Sequence, residues 1–184
     1  MERKKTLNVF KEAANAWGSH DEFPVGPKGT DPMPHLSRSR VAQPFFSVCA
    51  ADQVLVHLAG RGSIEFRDRE PMRMELVPGD SVYIPAGVPS RVVPADGGEI
   101  LQVRLKAEPP AKEAVAWYCA GCGALVHGRE LDDGIVQAAW WQAVHAFNDD
   151  IARRTCAGCG RVHDPVELGD IAWPAVAAAL AAGG

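Results

Sequence analysis

Cys119, Cys122, Cys156 and Cys159 stand in two matched segments, Cys-Ala-Gly-Cys-Gly at 119–123 and again at 156–160. Two residues between thiolates let both sulfurs and the intervening backbone amides wrap one ion. The glycine after each second cysteine supplies the positive φ that such a turn needs. Four thiolates saturate a tetrahedral ion, so the pattern predicts a structural zinc or iron site with no position left for substrate. A redox-active Cys-x-x-Cys is the alternative, but that chemistry uses one pair rather than two. His127 and His163 follow their knuckles by five and four residues. With four sulfurs available, they are expected to pack or to support the thiolates rather than to ligate.

The remaining bulk properties set the context for that site. The 184 residues carry a formal charge of -4, with 47% hydrophobic and 23% charged residues, as in a globular domain. An acidic balance gives no reason to expect nucleic acid as a partner. No apolar run approaches the roughly 20 residues of a membrane helix, and the opening Met-Glu-Arg-Lys-Lys lacks the apolar stretch of a signal peptide. A cytoplasmic location is the expectation, and in a reducing compartment paired cysteines read as metal ligands rather than disulfides.

The elements that must position these groups follow from periodicity. Residues 6–18 have apolar side chains at helical spacing and stop at Gly18, which predicts a short helix. Residues 19–45 are rich in Pro and Gly and read as an extended arm. From 40 to about 108, short alternating runs such as QVLVHLAG, GSIEFRD and EILQVRLK are separated by Gly, Pro and Asp. This is the pattern of an antiparallel sandwich or barrel. The expected division is an N-terminal helix and arm (1–39), a barrel (40–110), and a four-cysteine tail with a C-terminal helix starting near Pro174 (111–184). The charge run from Glu65 to Glu70 reads as a solvated hairpin, and Trp140 and Trp141 as packing residues.

Gly79-Asp-Ser-Val-Tyr-Ile-Pro85-Ala-Gly87-Val-Pro-Ser90 resembles the second cupin motif, and Gln53 followed by Gly60 resembles the end of the first. The segment from Trp117 to His127, the segment from Arg153 to His163, and Phe23-Pro-Val-Gly26 are similar to bacterial 3-hydroxyanthranilate 3,4-dioxygenases with a rubredoxin-like tail. The resemblance implies a mainly β fold. It would be a single cupin double-stranded β-helix (jelly-roll) barrel with a four-cysteine rubredoxin-like or zinc-ribbon extension and short helices. It also implies a homodimer.

The family's ferrous centre uses two histidines and a glutamate, and the corresponding positions here are Ser47, Ser90 and Gln53. Its two pocket arginines fall near Gln43 and Val93, and its substrate-binding glutamate falls on Arg104. Hydroxyl and amide groups do not replace imidazole and carboxylate at Fe(II), so no catalytic iron is expected in the barrel.

Ser47, Cys49, Gln53, His57, Ser90 and Arg104 are the candidate pocket residues. Cys49 is a candidate nucleophile or lone ligand, or else an inert buried thiol. His57 is a candidate acid or base, or a hydrogen-bonded core histidine. Arg104 either anchors a carboxylate or lies on the outer face. The leading expectation is a repurposed cupin that binds, or acts non-oxidatively on, a small anionic aromatic metabolite such as an aminobenzoate, in natural-product biosynthesis. The alternatives are a non-catalytic binding or accessory cupin, and an active dioxygenase with relocated ligands such as His35, His57 and Cys49.

Overall fold

The computed structural model describes residues 6–67, 71–108 and 110–183. Asp68, Arg69 and Glu70 of the charged hairpin lie outside them. Two antiparallel sheets face each other. The first holds β1 (His20–Pro24), β2 (Met33–Ser39), β4 (Gln53–Ala59), β7 (Ser81–Ile84) and β9 (Ile100–Lys106), in the order β1-β2-β9-β4-β7. The second holds β3 (Phe46–Cys49), β5 (Gly62–Phe66), β6 (Arg73–Leu76), β8 (Ser90–Pro94), β10 (Glu113–Tyr118) and β11 (Leu125–Glu130), in the order β11-β10-β3-β8-β5-β6. Consecutive strands repeatedly cross between the sheets, as β3 to β4 and β9 to β10 do. That alternation rolls the pair into a barrel.

Burial alternates along the strands as the sequence pattern requires. Gln53, Leu55 and His57 of β4 are buried, and Ile100, Gln102, Arg104 and Lys106 of β9 form a second buried row. The turn after β4 depends on Gly60, whose φ is +87°. A Cβ there would lie 1.9 Å from the Glu99 carbonyl oxygen, so only glycine fits.

Leu55, Ile64, Phe66, Leu76, Val82, Ile84, Val88, Val92 and Ile100 fill one end of the barrel. Against the other end pack α2 (Val136–Asp149) and α3 (Trp173–Gly183). Their core is aromatic: Phe45, Trp117, Trp140, Phe147 and Trp173, with Val115, Ala143, Val144 and Ile171.

The expected segments do not divide the sheets. The extended arm forms two paired strands, β1 and β2, and β2 joins the barrel by pairing with β9. Beyond residue 110, β10 pairs with β3 and so belongs to the barrel wall. The expected helix at 6–18 is shorter, an α-turn at Val9–Glu12 (α1) capped by the Asn8 side chain and followed by a 3-10 turn at Ala13–Asn15. The helix α2, inserted between the two knuckles, had no counterpart in the expectation. The C-terminal helix starts at Trp173, one residue before Pro174.

Candidate metal clamp, barrel interior and mouth cavity

The knuckles close on one point. Each uses the same backbone wiring: Gly123 N–H donates to Cys119 O and Gly160 N–H to Cys156 O, with φ of +77° and +74° at the two glycines. Cys119 and Cys159 sulfurs are 3.6 Å apart, as are those of Cys122 and Cys156, and all four lie within 4.8 Å of one another. A tetrahedral zinc with Zn–S bonds of about 2.3 Å has sulfur–sulfur edges of roughly 3.8 Å, so the four fit one ion.

Electrostatics agree. Backbone N–H groups of Cys122 and Gly121 lower the Cys119 thiol towards the thiolate a metal needs. At Cys122 the Ala124 N–H works the same way, yet proton sharing with Cys156, Cys159 and Cys119 pushes its pKa up to about 12. Four sulfurs this close cannot all be anionic without a cation among them. Cys119 and Cys156 are buried, while Cys122 and Cys159 face solvent. His127 is not a ligand; its ring stacks on Trp117 at 6.0 Å and on Phe147 at 6.2 Å.

Inside the barrel, Ser47 of β3 and Ser90 of β8 are register partners on one face. Ser90 is 1% exposed. Gln43 donates to Ser47 Oγ at 2.7 Å and to the Phe45 carbonyl at 3.1 Å. Across the barrel, Arg104 Nη1 donates to Gln53 Oε1 at 2.8 Å. Arg104 therefore points inward and is 4% exposed, which removes the outer-face alternative. Two hydroxyls, an amide and a guanidinium do not make a ferrous donor set.

His57 is wholly buried, its Nε2 donating to Gly60 O at 3.2 Å and its Nδ1 accepting from Gln102 at 3.2 Å. Both nitrogens are engaged, so it holds the turn and the neighbouring strand. Cys49 is a buried free thiol, register partner of Glu113 on β10. Among the described residues, the four-cysteine cluster is the only group of three or more His, Cys, Asp or Glu within shared ligating distance. His35, His57 and Cys49 form no such group.

One rung outward, at the barrel mouth, lies a charged cluster that sequence reasoning missed. Glu22 of β1 sits 2.5 Å from Lys106 Nζ and 3.7 Å from Arg104 Nε, and Lys106 also donates to Glu113 at 2.7 Å. Burial pushes the Glu22 carboxyl up, but the Lys106 and Arg104 charges outweigh it and hold its pKa at about 2. Burial lowers His35, whose Nδ1 is 3.8 Å from Glu22 Oε1. A cavity of about 470 Å³ opens over this cluster, bounded by His35, Lys106, Glu113, Leu131 and Val136. The signal available in the sequence was the inward row Gln102, Arg104, Lys106. Their partners Glu22 and His35 came from a segment with the composition of an arm, so the ion pairs were not visible.

The two-sheet topology and the Gly79–Ser90 motif give a mainly β, cupin-like barrel that carries a four-cysteine cluster able to hold a metal. The chain is similar to bacterial 3-hydroxyanthranilate 3,4-dioxygenases. It is 34% identical over 122 residues to that of Ruegeria pomeroyi, covering 65% of this chain and 62% of the relative. To that of Jannaschia sp. it is 36% identical over 70 residues, 38% and 39% of the two chains. The chain thus matches less than two thirds of the length of these relatives. No protein-family model matches it.

Among solved structures, it resembles hydroquinone 1,2-dioxygenase from Sphingomonas sp. TTNP3 with 4-hydroxybenzoate bound. The identity is 18% and the TM-score 0.46, over 55% of this chain and 72% of that one. Protein NMB1881 from Neisseria meningitidis matches at 19% identity and a TM-score of 0.45, over 55% and 98%. These structural likenesses carry no inference about chemistry.

Proposed function

We propose that this chain is a repurposed cupin that binds a small anionic aromatic metabolite of the aminobenzoate type, with no ferrous ion in its barrel, and that any reaction it performs is non-oxidative. The observation that carries this reading is the buried Arg104, 2.8 Å from Gln53. A guanidinium beside the position where the related enzymes place a metal-binding carboxylate repels a divalent cation and attracts an organic acid. The interior stays polar, with Ser47, Gln53 and Ser90 in place of apolar plugs, which suits a polar ligand.

The reading includes a structural zinc in the four-cysteine clamp, a cytoplasmic homodimer and a place in natural-product assembly. A second reading, a non-catalytic binding or accessory cupin, is supported by His57, whose two ring nitrogens are both occupied. The test is a metal count together with oxygen uptake on 3-hydroxyanthranilate. One metal per chain, no uptake and a raised Tm with anthranilate are expected. Iron bound next to Ser90 with oxygen consumption would overturn the proposal.

A further inference from the structure

We infer that the ligand site of this chain is the cavity at the barrel mouth rather than the position of the related enzymes' iron. There the carboxylate of such an aminobenzoate would meet Lys106 and its amine Glu113. The inference rests on the preceding reading for the ligand and adds the place.

The volume, about 470 Å³, lies in the range of small-molecule sites. Its walls combine apolar surface such as Leu131 and Val136 with His35, two lysines, Lys106 and Lys112, and three carboxylates, Glu113, Asp132 and Asp133. Lys106 is the inner cation. It is buried, and although burial alone would lower its pKa, Glu22 and Glu113 raise it, so it stays charged. An ammonium has three N–H donors, and Glu22 and Glu113 each meet Lys106 Nζ through one carboxylate oxygen. The third can meet a ligand carboxylate.

Glu113 gives that ligand an acceptor for an amine on the same wall. A ligand bringing only an acid would leave Glu113 beside a second negative group, and one bringing only an amine would leave the Lys106 donor unanswered. A flat body bearing both satisfies the pair. His35, its pKa lowered by burial, faces the same cavity, with the Glu22 carboxylate 3.8 Å behind it.

One rung deeper, Gln43 is hydrogen-bonded to Ser47, and Arg104 to Gln53. At the mouth, charged groups meet an open volume.

The probe is anthranilate, with benzoate and aniline as ligands lacking one group each. Amide chemical-shift mapping on the full chain locates binding, and calorimetry measures it in Val136→Trp, which fills the cavity from α2. Ala111→Phe does the same from the loop, should the first variant fold poorly. Expected are shifts at 110–113 and 131–139, affinity for anthranilate at least tenfold above both simpler ligands, and a loss of at least tenfold in either variant. Shifts confined to 47–53 and 88–92, with both variants binding normally, would overturn the mouth site and leave the preceding reading standing. No binding of any of the three ligands to the unmodified chain would overturn both.

Discussion

Arg104 donates to Gln53 inside the barrel at 2.8 Å, and on its other side it lies 3.7 Å from the Glu22 carboxylate. One guanidinium thus connects Gln53, where the resemblance places a metal-binding glutamate, to a charge cluster at the mouth. Restoring the ligands alone should therefore fail. In the triple variant Ser47→His, Gln53→Glu, Ser90→His, the new carboxylate at position 53 pairs with Arg104 instead of a metal. Elemental analysis should still find one metal per chain. Adding Arg104→Glu should admit a second. Stoichiometric iron in the triple variant alone would contradict this account of Arg104.

The four-cysteine clamp should be a folding element. Cys156→Ser removes a buried ligand, and metal content should fall to none. Stability should drop on the order of several kcal/mol, since site formation and folding are one process. Near-ultraviolet circular dichroism should report it, because Trp117, Trp140 and Trp173 lie in the core that α2 and α3 close. Full retention of metal with three cysteines would argue for another ligand.

Acid should unfold this chain in two stages. Burial lowers the His20 pKa from 6.5 to about 4. The unfolded chain then binds the extra proton first, and stability is complete above pH 6.5 and lost as pH falls towards 4, by about 3 kcal/mol. Glu22, held at about 2 against an ordinary 4.5, contributes stability above pH 4.5 that disappears as pH falls towards 2. Asp21, raised by burial, gives a partial contribution of opposite sign just above pH 3.8. Urea midpoints measured from pH 8 to 3 should show the first loss shrink in His20→Gln. His35, also lowered by burial, keeps part of it. An unchanged slope would sink the assignment to His20.

Trp173 should anchor the tail. It is fully buried, and its indole N–H donates to the His20 carbonyl at 3.0 Å. Trp173→Ala should cost roughly 3–5 kcal/mol through the cavity left behind. In a chain of this size that lowers Tm by roughly 10 °C. Trp173→Phe should cost less. Calorimetry that finds Trp173→Ala within about 1 kcal/mol of the original would mean that the tail does not depend on this contact.

Much of this molecule was legible in its residues, because alternation and glycine punctuation are local signals. The runs around Gln53–Ala59 and Ile100–Lys106 became β4 and β9, and the matched knuckles met as their spacing required. Two features were not legible, for a shared reason. Residues 20–39 carry Pro and Gly through their middle and read as an extended arm, yet β2 gains strand structure by pairing with β9, some 70 positions away, and β1 by pairing with β2. Glu22 and His35 acquire their meaning only through that pairing. The helix α2 has apolar residues at helical spacing from Val136 to Phe147, but the cysteines on either side drew the reading towards a compact tail. His57 reads as an acid or base or as a hydrogen-bonded core histidine, because a sequence records its chemistry and not its partners; its bonds to Gly60 and Gln102 fit the second reading.

The strand β10 begins at Glu113 in the mouth and runs to Tyr118, one residue before Cys119, with a register shift at Trp117/Tyr118. The helix α2 begins at Val136 on the cavity wall and leads, through a short turn, to Cys156. Two walls of the cavity thus continue into the two segments that carry the cysteine cluster. With an ion held by the four sulfurs, a chelator would free both segments together, and the shape of the mouth would depend on metal supply at a distant point.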